Sequence, residues 1–264
     1  MVRGFRFSTL AILFLTVALA GCGGDEVAMT EVSHEDTNDM VVWSPAGEGP
    51  WPVVFAIPGS GGDADRDLAV LASELAAEGL LVIGTDVRTS PTAYTELDVE
   101  CGYRYARQIA ADYAGDVTLP VTMLGFSFGA FPATVQGLNG SRYGPEGIFT
   151  DCFSGQPRPD IVVTVAGCHL DALDQTNVYF NNTETAVVLV SGAEDTVCPT
   201  TVHTPPMQTL LEERGFDVTA VEIPGADHGG LVFHDNQSWE ELPTDDPGGQ
   251  ATVEAIVEAV NAAR

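Results

Sequence analysis

Residues 117–129 read VTLPVTMLGFSFG, a mainly apolar run that leads directly into a G-x-S-x-G pattern centred on Ser127. A helix-compatible stretch follows this pattern. Glycine at 125 and 129 permits a sharp turn between strand and helix, because a side chain at either position would collide with neighbouring backbone. This context predicts that the Ser127 hydroxyl stands exposed at the tip of a strained elbow, where a serine can act as a nucleophile.

Short apolar segments alternate with amphipathic segments along most of the chain. Strands are predicted at residues 40–44, 53–57, 80–84, 117–124, 161–166, 186–191 and 218–223. Helices are predicted at 68–75, at 98–113, after Ser127, up to residue 214 and over 253–260. This alternation predicts an α/β fold with a mostly parallel central sheet and helices on both faces. In such sheets, ligands and catalytic groups gather at the carboxyl ends of the strands.

A serine nucleophile needs a base that takes its proton and an acid that orients the base. Asp195 and His228 each follow a predicted strand directly, and His228 lies in a glycine-rich loop. Both are therefore expected at the same end of the sheet as Ser127. The sequence predicts a catalytic triad of Ser127, His228 and Asp195.

Other residues compete for the roles of acid and base. Asp195 could instead cap the helix that begins near residue 199, and Glu194 is its nearest competitor. The remaining candidates are Asp171, Asp174, His169, His203 and His234. Glycines on both sides favour His228, because they let its loop come close to the serine.

The oxygen of a tetrahedral intermediate needs two backbone N–H donors. Phe128, which directly follows the nucleophile, is predicted to supply one of them. The other is expected from the glycine-rich turn at residues 58–62, in which Ser60 is the favoured donor. A phosphate-binding loop is excluded here, since no Lys-Ser/Thr pair follows and the acidic charge of the chain opposes nucleotide binding.

With these motifs the chain resembles the α/β-hydrolase superfamily from about Met40 to Arg264. Within it, the layout is similar to the dienelactone hydrolase-like esterases and the bacterial cutinase-type polyester hydrolases. The shared segments read PGS at 58–60, GFSFG at 125–129, EDTVCP at 194–199 and DH at 227–228. The resemblance implies the α/β-hydrolase fold, the triad named above, and Ser60 and Phe128 as backbone donors to the oxyanion.

The resemblance implies cleavage of a small or polymeric carboxylic ester through an acyl-enzyme. Polyester hydrolases usually carry an aromatic residue at the position of Ser60 and a Trp near that of His169, and neither aromatic is present. Dienelactone hydrolases proper use a cysteine where this chain has Ser127. The alternatives are an acyltransferase with the same triad and a non-catalytic binding lipoprotein. No cofactor or metal is expected, because the Cys and His residues lack paired spacing.

The N-terminus has the pattern of an export signal. Arg3 and Arg6 precede an apolar run at residues 10–19, which ends at Leu-Ala-Gly-Cys22. This resembles the bacterial lipobox, in which Cys22 becomes the lipidated first residue. The predicted organisation is a signal peptide at 1–21, a flexible tether at 22–39 and a catalytic domain at 40–264. The protein is expected to be exported and either lipid-anchored to the cell envelope or secreted.

Cysteine usage and charge fit an exported protein. Four cysteines remain after Cys22, and the favoured pairing is Cys168–Cys198 with Cys101–Cys152. The net charge is −28, and removal of residues 1–21, which carry two arginines and no acidic residue, takes it to −30. A surface this acidic repels nucleic acid and anionic lipid, so contact with the membrane is expected only through the anchor.

Overall fold

The computed structural model describes residues 27–33, 39–88, 92–138, 158–169, 180, 182–236 and 238–264. Several predictions lie outside these residues. They concern the signal peptide, Cys22, Cys152, Asp171 and Asp174. The second predicted disulfide, Cys101–Cys152, therefore stays a prediction. In the described part of the chain, no helix combines the length and the apolar character needed to span a membrane.

The described residues contain one sheet of eight strands in the order β1-β2-β4-β3-β5-β6-β7-β8. The strands are β1 (Ala28–Val32), β2 (Met40–Ser44), β3 (Val53–Ile57), β4 (Leu81–Thr85), β5 (Val121–Phe126), β6 (Ile161–Val165), β7 (Ala186–Gly192) and β8 (Val218–Ile223). The pairs β1–β2 and β2–β4 are antiparallel, and the remaining pairs are parallel. The predicted α/β fold with a mostly parallel sheet is confirmed.

Helices cover both faces of this sheet. They are α1 (Ala64–Ala77), α2 (Thr92–Ile109), α3 (Ala130–Leu138), α4 (Thr200–Glu213) and α5 (Pro247–Ala262). The apolar sides of α1 and α5 pack on one face, and those of α2, α3 and α4 pack on the other. Because side chains alternate across a strand, each central strand contributes to both layers. In β3, for example, Phe55 points into one layer and Val54 into the other.

The sheet begins earlier in the chain than the sequence predicted. Residues 22–39 were expected to form a flexible tether, but Ala28–Val32 within them form β1. This strand pairs with β2 along its whole length, from Ala28 opposite Ser44 to Val32 opposite Met40. Met29 and Val32 also pack against the two apolar layers. The backbone hydrogen bonds to β2 and these apolar contacts order a segment whose acidic composition suggested a tether.

Carboxylates gather around the N-terminus of α1 and the adjoining strands. The group comprises Glu31, Asp39, Asp63, Asp65, Asp86 and Glu241. Burial, and then repulsion from its acidic neighbours, raises the pKa of Asp65 above the usual 3.8. Burial and repulsion also raise the pKa of Asp86, although a hydrogen bond from the Ala64 N–H opposes this. A carboxyl whose pKa is raised by folding destabilises the fold above that pKa, and the penalty disappears as the pH falls toward the usual value.

We expect the thermal unfolding midpoint at pH 7 to rise when NaCl is increased to about 1 M, because the Debye length then shrinks to about 3 Å. Calorimetry over a salt series would measure the rise. The rise should be smaller near the isoelectric point of about 4.1, where the net self-repulsion vanishes. A midpoint at pH 7 that does not respond to NaCl would contradict this account of the acidic surface.

Candidate active site

Ser127 lies in a strained turn between β5 and α3. Its φ angle is +52°, a left-handed backbone conformation that residues other than glycine rarely adopt. A Cβ atom at Gly125 would come within 2.6 Å of the backbone carbon of Gly129. A Cβ atom at Gly129 would lie 2.6 Å from the carbonyl oxygen of Ile57 and closer still to that of Pro58. Both glycines are therefore required by close backbone packing, as the sequence predicted.

A continuous chain of hydrogen bonds joins the three predicted triad residues. The Nε2 atom of His228 lies 2.9 Å from the Oγ atom of Ser127, and its Nδ1 atom lies 2.8 Å from Oδ2 of Asp195. Because a carboxylate can only accept, Nδ1 carries the hydrogen, and Nε2 accepts from the serine hydroxyl. All three side chains are buried. Ser127 is 8% exposed, so the prediction of an exposed hydroxyl is wrong; the His228 imidazole lies against it.

The carboxylate of Asp195 is held on both oxygens. While Oδ2 accepts from His228, Oδ1 accepts from the backbone N–H groups of Val197 and Cys198, each at 2.8 Å. Burial alone raises the pKa of Asp195, but His228 and the two N–H groups outweigh it and hold the pKa below the usual 3.8. Asp195 is therefore ionised at neutral pH, and its charge can stabilise a protonated imidazole.

Backbone hydrogen bonds tie the loop that carries Asp195 to the loop that carries His228. The N–H of Ala193 donates to the carbonyl of Ile223, and the N–H of Glu194 donates to that of Ala226, both at 3.0 Å. The Glu194 side chain points into solvent. The structure thus brings Asp195, rather than Glu194, to the imidazole.

The competing histidines have other surroundings. His169 lies 3.4 Å from the Thr164 hydroxyl, and burial together with repulsion from His203 lowers its pKa to about 3. His203 lies on α4. His234 stacks in parallel on Trp239, with ring centroids 4.8 Å apart. Among the described histidines, His228 is the one whose ring is hydrogen-bonded to Ser127.

The aromatic layer beneath the imidazole begins at the elbow. The ring of Phe126, the residue before the nucleophile, lies 5.3 Å from that of His228 and 6.1 Å from that of Trp239. Trp239 is partly buried and also packs on the apolar layer below α1 and α5. Trp239 is therefore a packing residue, in ring contact with Phe126 and His234.

The turn at residues 58–62 lies directly against the elbow. Within this turn the N–H of Gly59 donates to Oδ2 of Asp67 at 3.0 Å, and the N–H of Gly62 donates to the carbonyl of Gly59 at 3.1 Å. Those two donors are already committed, and proline at 58 has none. The remaining N–H groups, of which Ser60 supplies the first, are the ones that can serve a ligand.

Phe128 is the second residue of a 3-10 turn that covers Ser127–Gly129 and leads into α3. The first N–H groups of a helical segment have no partner within it, so the N–H of Phe128 is left for an acceptor outside the turn. The structure thus places Phe128 in the elbow itself and the turn with Ser60 against that elbow. Their assignment as donors to an oxyanion stays a prediction.

A disulfide connects the loop after β6 with the loop of the triad acid. Cys168 and Cys198 are bonded, with Cα atoms 5.0 Å apart, as the favoured pairing predicted. Cys198 is also the residue whose N–H donates to Asp195. The crosslink therefore fixes one of the two backbone groups that orient the carboxylate. In the described residues, no group of three or more His, Cys, Asp and Glu side chains is arranged to hold a metal ion.

No protein-family profile matches the chain, and no curated protein matches it in sequence. Solved structures do match. A truncated carbohydrate esterase from gut microbiota is 16% identical, with a TM-score of 0.66 over 92% of this chain and 99% of that one. An α/β-hydrolase enzyme from a Medee basin deep-sea metagenome library is 15% identical, with a TM-score of 0.63 over 90% and 99%.

A third match is the butyrate-bound thermophilic esterase of the planctomycete Thermogutta terrifontis. It is 15% identical, with a TM-score of 0.63 over 85% of this chain and 88% of that one. At these identities the likeness establishes the fold. The chain has the α/β-hydrolase fold, which confirms the predicted resemblance at that level, and it carries a hydrogen-bonded Ser–His–Asp arrangement at the carboxyl ends of the strands.

Replacing Cys168 and Cys198 together by serine should lower the free energy of unfolding by about 3.5 kcal/mol, because the crosslink closes a loop of about 30 residues in the unfolded chain. Urea unfolding of the oxidised wild type and the double variant would measure this difference. Peptide mapping under non-reducing conditions would check the pairing itself. Equal unfolding midpoints for the two proteins would contradict a stabilising crosslink.

Proposed function

We propose that the protein is a serine hydrolase that cleaves carboxylic esters and is exported and anchored by lipid. The observation that carries the enzymatic part is the unbroken hydrogen-bond chain from Ser127 through His228 to Asp195. A packing role alone does not require a serine in a left-handed conformation that two close-packed glycines make possible. Asp195 is an acid with a lowered pKa, His228 is a base and Ser127 is a nucleophile. Enzymes that transfer acyl groups use this combination.

The reaction proceeds in two halves. His228 Nε2 takes the hydroxyl proton as Ser127 Oγ attacks the ester carbonyl carbon, and the developing oxyanion accepts from the N–H groups of Phe128 and Ser60. Asp195 stabilises the imidazolium. The imidazolium then protonates the leaving alcohol, and an acyl-enzyme remains. Water, deprotonated by the same imidazole, attacks the acyl carbon, and the collapse of the second tetrahedral intermediate returns the proton to Ser127.

Esters with short acyl groups are the proposed substrates. This preference is supported by the esterase of Thermogutta terrifontis, which binds butyrate, and by the carbohydrate esterase from gut microbiota, both of which share the fold. Serine at position 60 and histidine at position 169 replace the aromatic residues of the polyester hydrolases that the sequence resembles. An aromatic polymer therefore fits this chain less well than a short-chain ester.

Export and lipid anchoring are supported by the sequence and by the redox state of the cysteines. Arg3 and Arg6, the apolar run at 10–19 and Cys22 form the signal pattern. The disulfide between Cys168 and Cys198 fits an oxidising compartment, since disulfides are rare in reducing ones.

Hydrolysis of a p-nitrophenyl ester series from acetate to octanoate tests the enzymatic proposal. Ser127→Ala should lower kcat about 10⁶-fold, because it removes the nucleophile. Asp195→Asn should lower kcat about 10⁴-fold, because the amide no longer fixes the productive tautomer of His228. Turnover should be highest with the short acyl chains.

Ser238→Ala is the matched control, because Ser238 is exposed and its described hydrogen bonds, to Asp235 and from the N–H of Glu240, stay within its own turn. It should keep wild-type kcat. Labelling of Ser127 by a fluorophosphonate, checked by mass spectrometry, distinguishes the nucleophile from a contaminating esterase. A wild-type protein that neither hydrolyses these esters nor takes up the label would show that the fold serves binding rather than catalysis.

Metabolic labelling with a palmitate analogue in a bacterial host tests the anchor. The wild-type protein should incorporate the label and fractionate with membranes, whereas Cys22→Ala should do neither, because the acceptor thiol is missing. The Ser127→Ala variant should be labelled like the wild type. Absence of label from the wild type, or label that persists in Cys22→Ala, would argue against lipidation at this residue.

A further inference from the structure

Asp67 is a buried carboxylate beside the turn at residues 58–62. It lies in the first turn of α1 and is only 1% exposed. Its Oδ2 atom accepts from the N–H of Gly59 at 3.0 Å. Gly59 directly precedes Ser60, the proposed donor to the oxyanion. The bond therefore fixes the peptide adjacent to the one that has to point at the reacting carbonyl.

The second oxygen of this carboxylate is held by an arginine. The Nε and Nη2 atoms of Arg66 both donate to Oδ1 of Asp67, at 2.9 and 2.6 Å. The guanidinium also covers Gly61, because a Cβ atom placed there would overlap its Nη2 atom. The turn is therefore contacted on both sides of Ser60. Asp67 accepts from Gly59 before it, and Arg66 lies against Gly61 after it.

Charge balance explains why the two residues occur together. A lone buried carboxylate next to an oxyanion site would repel the negative charge that develops in the transition state. With two N–H bonds from Arg66, the negative charge of Asp67 is largely compensated. Gly59 can then be anchored by a strong acceptor without a net negative charge beside the developing oxyanion.

We propose that Asp67 and Arg66 are positioning residues for ester hydrolysis: together they hold the turn at 58–62 so that the N–H of Ser60 points at the oxyanion. This inference rests on the proposed serine-hydrolase function. Neither side chain touches the triad in the described contacts, and neither takes part in proton transfer. Both act on the transition state through the backbone of the turn.

The variants Asp67→Ala and Arg66→Gln test this role in the full-length protein. Loss of a direct oxyanion donor lowers kcat about 10²- to 10³-fold, so a loosened donor should lower it about 10- to 100-fold in Asp67→Ala. Arg66→Gln should lower kcat severalfold. The KM for p-nitrophenyl butyrate should change by less than about twofold, since the ground-state carbonyl bonds weakly to these donors.

The inhibition constant of a boronic acid reports on the active site of the folded enzyme, so a loss of stability alone does not change it. Butylboronic acid forms a tetrahedral adduct with the active serine and so resembles the transition state. Its inhibition constant should rise by about the factor by which kcat/KM falls. The pH at which kcat/KM reaches half its maximum should stay unchanged, because neither substitution removes a bond to His228.

Leu75→Ala is the control for lost stability. Leu75 is buried on the same helix, two turns beyond Asp67, and makes its contacts in the apolar layer. It should lower the unfolding midpoint at least as much as Asp67→Ala does, yet keep kcat within about twofold. Arg66 is 52% exposed, so Arg66→Gln tests the proposal even where Asp67→Ala fails to fold.

A rescue experiment separates geometry from charge. Asp67→Asn keeps an acceptor for Gly59 but turns an amide N–H toward the guanidinium of Arg66, so kcat should fall. Combination with Arg66→Gln gives two neutral amides that can bond to each other and should recover part of the loss. Unchanged kcat and boronate inhibition in Asp67→Ala and Arg66→Gln, within an active wild-type background, would overturn the positioning role alone. An inactive, unlabelled wild type would overturn the proposed function and this inference with it.

Discussion

The close approach of the elbow to the end of β3 is the contact on which the whole site depends. Gly129 lies so near the carbonyl oxygens of Ile57 and Pro58 that no side chain could be accommodated. This approach brings the residue after the nucleophile beside the turn that follows β3. Because β3 and β5 are neighbours in the sheet, paired from Val53–Val121 to Ile57–Gly125, the two proposed oxyanion donors follow adjacent strands. A methyl group at position 129 would force them apart.

Strand order then determines how the other two triad residues reach the serine. The loop of Asp195 follows β7 and that of His228 follows β8, the last strand of the sheet. Ser127 follows β5, so the imidazole has to cross back over the ends of β7 and β6. Backbone hydrogen bonds from Ala193 and Glu194 join the loop of Asp195 to the loop of His228. The disulfide at Cys198 joins the loop of Asp195 to the loop after β6. Three distant segments of the chain are therefore joined at the carboxyl ends of the strands.

Features that local sterics and strand periodicity determine could be predicted from the sequence. Features that depend on contact with a distant segment of the chain could not. The elbow, the strands β3 and β8 and the order of the triad could be inferred because glycine spacing and apolar runs report on them directly. The strand β1 was missed because its order comes from pairing with β2. Asp67 was also missed, although it shares helical spacing with Leu71 and Leu75 and so lies on the buried face of α1. A carboxylate on the apolar face of this helix could have indicated a buried, hydrogen-bonded acid.

Most of the buried carboxylates in this acidic chain are compensated by arginines. The described residues include four buried carboxylates, Asp67, Asp98, Glu100 and Asp195. The first three are paired with Arg66, Arg88 and Arg158, whose planar guanidinium groups suit carboxylate recognition better than the ammonium of the lysine that this chain lacks. Asp195 differs, because its partners are backbone N–H groups and His228. An arginine in their place would compensate the negative charge permanently, whereas these partners leave it available to the imidazole at the moment that His228 takes the proton from Ser127.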